Sequence, residues 1–139
     1  MAGVHFSFID FTQLLSLTIG IADRLDENRA ESFTLLYCDF SAVSNKDIDS
    51  SLEQVLRNSD SIINNEKNYF FVLPYTDKYG AEIVKEMFDE FFSVKTDSFA
   101  VCYPRDGETP KEILTELQDS VSRFYHNDLR CLDKFTQHL

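Results

Sequence analysis

The chain has 139 residues, the size of one ordinary domain, and its 43% hydrophobic and 14% aromatic side chains are enough to fill a core. The 13 basic and 24 acidic side chains leave a formal charge of −11. No Lys/Arg cluster follows a phosphate backbone, so this balance argues against nucleic-acid binding while leaving room for a small anion held by local arginines.

From the N-terminus, Asp10 is placed to cap a helix in which Phe11, Leu14, Leu15, Thr18, Ala22 and Leu25 recur at helical spacing, with Leu17 and Ile21 as a second apolar edge. That face is wider than one sheet covers. Residues 1–30 therefore read as an N-terminal helix whose surplus, at Leu14, Leu17 and Ile21, is either a dimer seam or ordinary burial. The polar residues 26–32 read as a loop and residues 33–40 (FTLLYCDF) as a buried strand.

Ser44 can cap a helix carrying Ile48, Leu52, Val55 and Leu56, ending near residues 58–60. Two short runs, 61–64 and 68–73, joined by a few polar residues, are a hairpin pattern, and Pro74 ends the second strand because it cannot donate to a ladder. A helix follows from Lys78 with Ile83, Val84, Met87, Phe88 and Phe91 in register, and with Phe88, Phe91 and Phe92 read as core.

Residues 98–103 (SFAVCY) predict another buried strand. Thr109, Pro110 and Glu112 then supply a cap, a first-turn proline and a capping box for a helix through Ile113, Leu114, Leu117, Val121 and Phe124, continuing to Leu132 or Phe135. The order predicts an α+β fold of one domain: a central, mostly antiparallel sheet of four or five strands with flanking helices, packed mainly on one face, in a ferredoxin-like or palm-like arrangement.

Cys38, Cys102 and Cys131 are odd in number and lack metal-binding spacing, which fits core thiols in a reduced, cytoplasmic protein. His5, His126 and His138 stand far apart with no serine or cysteine beside them, as surface histidines do. No apolar run reaches roughly 18 residues and no basic leader precedes one, so neither membrane insertion nor secretion is expected. No cofactor or metal site is indicated.

Residues 52–92 (LEQVLRNSDSIINNEKNYFFVLPYTDKYGAEIVKEMFDEFF) resemble the heart of the GGDEF, or diguanylate cyclase, family. The likeness consists of a helix ending in R-x-x-D, a hairpin with the signature at its tip, a strand ending in Leu-Pro, and a helix. Residues 99–114 (FAVCYPRDGETPKEIL) look like the family's strand, its Tyr-Pro-x-Asp-Gly-x-Thr loop and the next helix start. The resemblance spans residues 33–124, which leaves residues 125–139 as a C-terminal helical extension.

Aligned back from Leu73-Pro74, the signature positions fall on Asn65, Glu66, Lys67, Asn68 and Tyr69, and only the aromatic is kept in kind. In active members two glycines let backbone approach the nucleotide and an acid holds the bridging metal. Here side chains replace the glycines and Lys67 replaces the acid, which leaves Asp39 as a single carboxylate resembling the other metal ligand. The family's long Phe-Lys-x-x-Asn-Asp segment is also reduced to SAVSNK.

The resemblance thus implies a catalytically inactive GGDEF-like signalling module acting through a protein partner or self-association. It also implies an alternative, a cyclic di-GMP receptor using Arg57 and Asp60 of the R-x-x-D element, where a guanidinium can fork onto phosphate or a guanine edge. The same two residues equally suit a capped and paired helix end.

Overall fold

The computed structural model describes residues 2–25 and 31–137. Its frame is a five-stranded sheet in the order β1-β3-β4-β2-β5, from β1 (Val4–His5), β2 (Glu31–Asp39), β3 (Ser61–Asn65), β4 (Asn68–Pro74) and β5 (Ser98–Pro104). β4 pairs antiparallel with β3 and β2, β2 pairs antiparallel with β5, and only β1 runs parallel to its neighbour β3. From β2 onward the chain is βαββαβ, a ferredoxin-like core to which β1 adds an edge.

Helices cover both faces, which corrects the expectation of helices mainly on one. Alternate side chains of the central strands are apolar in both directions: Leu35, Tyr37, Phe70 and Val72 point one way, Leu36, Cys38, Phe71 and Leu73 the other, and all are 2% exposed or less. A strand with no polar face has to be covered twice. The helices α1 (Phe11–Leu25) and α4 (Pro110–Tyr125) pack on the first set, and α2 (Asn45–Val55) and α3 (Lys78–Phe92) on the second.

Local chemistry sets most of the boundaries. The Ser44 hydroxyl accepts from the Asp47 N–H at 3.2 Å, and the Thr109 hydroxyl accepts from the Glu112 N–H at 3.1 Å, as capping requires. The Glu112 carboxylate in turn accepts from the Glu108 N–H at 2.9 Å. Gly107 precedes this cap, where a Cβ would lie 2.9 Å from the Ile113 nitrogen, so only glycine lets the loop close.

Other boundaries differ from expectation. A 3-10 turn over Phe8–Asp10 leads into α1, so Asp10 ends that turn and does not cap the helix. α2 stops at Val55 because Leu56 is already extended, and α4 stops at Tyr125 because His126 is left-handed. The C-terminal extension is a 3-10 turn, Arg130–Leu132, followed by the short α5 (Asp133–Thr136). β2 begins at Glu31, two residues before the predicted strand; the rest of the predicted loop, 26–30, lies outside the described residues, as does His138.

Candidate functional site

The signature positions form the tip of the β3–β4 hairpin. Asn65 pairs with Asn68, so Glu66 and Lys67 alone make the turn, and Glu66 takes a positive φ of 53° that glycine would normally occupy. Asn64 steadies that strained residue by donating its side-chain amide to the Glu66 carbonyl at 2.9 Å.

Lys67 ties this tip to the loop after β2. Its carbonyl accepts from the Phe40 N–H at 2.9 Å, and its ammonium donates to the Val43 carbonyl. Asp39 closes a turn of its own by accepting from the Ser41 N–H at 2.9 Å. The hairpin end therefore presents the Lys67 cation beside the turn carboxylate of Glu66 and the engaged carboxylate of Asp39, whereas a hard divalent ion takes six or so oxygens. Among the described residues no group of three or more His, Cys, Asp or Glu side chains could hold a metal.

The two remaining signature residues serve the interior. Asn68 accepts the Tyr37 hydroxyl at 2.8 Å, and Asn127 donates to the same hydroxyl at 3.3 Å. Tyr69 is 7% exposed and packs on Phe40 and Phe71 with ring centroids 5.1 and 6.0 Å away. Burial, helped by the negative charge of Asp49, raises the Tyr69 pKa. Burial likewise raises the Cys38 thiol, which with Cys102 is fully enclosed and behaves as a small core residue.

Arg57 and Asp60 are brought together at the opposite end of β4, about 20 Å from the hairpin tip for a strand of this length. Asp60 is 2% exposed and accepts from the Arg57 backbone N–H at 2.8 Å, from Nε at 3.2 Å and from Nη2 at 2.8 Å. Nη2 also reaches the Pro74 carbonyl at 2.8 Å and the Thr76 hydroxyl at 3.1 Å. The backbone is fixed as well: Gly3 donates to the Arg57 carbonyl and Val4 to the Asp60 carbonyl, at 3.0 and 2.9 Å. The element clamps the α2–β3 turn to β1 and to the end of β4, with the Arg57 side chain half-exposed.

Of the three seam candidates on α1, Leu14 is a core residue, 7% exposed, because its position on the helix faces the sheet. Leu17 and Ile21 are 61% and 49% exposed, and with Phe6 and Tyr75 they flank an apolar groove of about 200 Å³. Leu25, expected on the buried face, is also exposed at 61%.

The sequence reading missed a second apolar face. Tyr79, Ile83, Met87 and Phe91 of α3 are all exposed, although Phe91 was expected in the core and Ile83 and Met87 were read in register with it. Position around the helix was the available signal: Tyr79 and Ile83 lie opposite the face fixed by Ala81 and Phe88, and the four-residue steps bring Met87 and Phe91 only part of the way back toward it. No family model matches this chain, and no curated protein matches it.

Proposed function

We propose that the chain is a catalytically inactive GGDEF-like signalling module that acts through protein–protein contacts, including self-association through α1. The observation that carries this reading is the outer flank of α1: residues 11–22 contain no charged side chain in a chain of net charge −11, and Leu17 and Ile21 stand exposed beside a groove. A patch that holds both a ridge and a groove can be self-complementary, as a two-fold interface requires. The lost chemistry is supported by Lys67, whose ammonium sits on the Val43 carbonyl where the resemblance asks for an acid and a metal. A cytoplasmic setting fits the buried thiols of Cys38 and Cys102.

Sedimentation across a dilution series tests the self-association. A dimer that becomes monomeric on Leu17→Glu or Ile21→Glu, with unchanged unfolding, is expected; a wild type that is monomeric throughout overturns it. GTP with Mg²⁺ is expected to yield no cyclic di-GMP, and product formation would overturn the inactive assignment.

The receptor reading has less support, because the Asp60 carboxylate is buried and already accepts three hydrogen bonds from Arg57 at 2.8 to 3.2 Å. Calorimetric titration with cyclic di-GMP is expected to show no saturable heat. Saturation that disappears in Arg57→Ala would restore that reading.

A further inference from the structure

The exposed row on α3 lies across the sheet from α1, and its charge surroundings are different. Tyr79, Ile83, Met87 and Phe91 are exposed by 75%, 43%, 42% and 41%. Near the end of the helix, Met87 and Phe91 line a shallow groove of about 240 Å³ with Gln54 and Val55 of α2.

Beside this row runs a second at the same spacing, Glu82, Glu86 and Glu90, all exposed. The two lysines of α3 are already held by carboxylates, Lys78 by Asp106 at 3.3 Å and Lys85 by Asp89. Glu82 also feels the Lys85 charge, so Glu86 and Glu90 carry most of the row's unbalanced charge.

We propose that this face docks a basic amphipathic helix from a partner protein, with apolar side chains on the Ile83–Met87–Phe91 row and Lys or Arg over the glutamates. The chemistry is that of helix-in-groove recognition: flexible Met and flat aromatic side chains accept varied apolar anchors, and a rim of one charge sign selects the opposite sign. The same rim disfavours the other occupants. A second copy docked face to face here would set its own glutamate row against this one, and anionic lipid or nucleic acid would be repelled. The proposal deepens the interaction-module reading and rests on it, but uses a surface separate from α1.

The chain contains no tryptophan, so a single Trp in a probe peptide reports without background. The probe is a synthetic helix of about 18 residues with Leu at i, i+3, i+4 and i+7 spacing, one Trp on that face and Lys elsewhere. Its controls are a scrambled peptide of equal composition and a version with Glu in place of Lys.

Saturable binding in the micromolar range with a blue-shifted Trp emission is expected for the probe alone. Met87→Glu should weaken it at least tenfold, and the triple change Glu82→Lys, Glu86→Lys, Glu90→Lys should weaken it similarly and flatten its salt dependence. Leu17→Glu should leave it unchanged, which separates failure at α1 from failure here. No binding, equal binding of the scrambled peptide, or indifference to both the Met87 and the glutamate variants overturns the proposal. The glutamate variants change exposed side chains only, so they remain informative if Met87→Glu fails to fold.

Discussion

α3 and α4 are nearly the same length, 15 and 16 residues, and both alternate apolar and charged side chains with a helical period. α4 buries Ile113, Leu114, Leu117, Ser120 and Val121 completely, whereas α3 buries only Ala81 and Phe88. The difference lies in where the apolar positions fall around each helix. In α4 they gather on one side, whereas α3 turns Ala81, Val84 and Phe88 toward the sheet and carries Tyr79, Ile83 and Met87 on the far side. Amphipathicity alone therefore does not say whether a face is covered by its own sheet or left for something else.

Stability measurements can break this contrast. The largest effect is expected at Phe88, the fully buried anchor of α3 that stacks 5.1 Å from Phe71: Phe88→Ala should cost about 3–5 kcal/mol in urea unfolding. Leu117→Ala, the equivalent anchor of α4, should cost about 2–5 kcal/mol. Met87→Ser, one residue from Phe88 but in the outer row, should stay within about 0.5 kcal/mol. A comparable loss at Met87 and Phe88 would mean that the outer row holds the fold, and would remove the reason to look for a partner.

Between these extremes falls Arg57→Ala, expected to cost about 2–3 kcal/mol because it leaves the Asp60 carboxylate buried with only a backbone donor. A cost near zero would show that the clamp contributes little, and would favour a ligand-facing role for the pair.

The smallest effect is a pH dependence that concerns α1, the other helix with an uncovered flank. Tyr103 of β5 donates its hydroxyl to Asp23 of α1, and its pKa is pushed up to about 12, first by burial and then by that carboxylate acceptor. A tyrosine whose folded pKa is raised favours its neutral form in the fold. Its contribution is whole below the ordinary value of 10.0 and is lost as pH rises through about 12. Tyr103→Phe should therefore flatten the alkaline loss of stability between those values, and an unchanged profile would show that the Tyr103–Asp23 contact does not contribute to it.

The strands, hairpin and helix starts were legible because each has a local cause: apolar runs, the Ser44 and Thr109 caps, and Pro74 at the end of a ladder. Helix ends were less so, because His126 adopts a left-handed conformation with no glycine to announce it. Of the candidate site, the sequence correctly separated the signature tip from the R-x-x-D element. It did not show that Lys67 would reach the Val43 carbonyl or that Asp60 would be enclosed by Arg57.

What the sequence by itself determined is the α+β order, the apolar strands and the helix caps, since periodicity and capping are properties of neighbours along the chain. Only the tertiary structure decided that helices cover both sheet faces, that Leu14 is core while Leu17 and Ile21 are not, and that the row through Met87 faces outward. Those outcomes depend on the angle at which each helix meets the sheet, and that angle is set by packing between residues far apart in the chain.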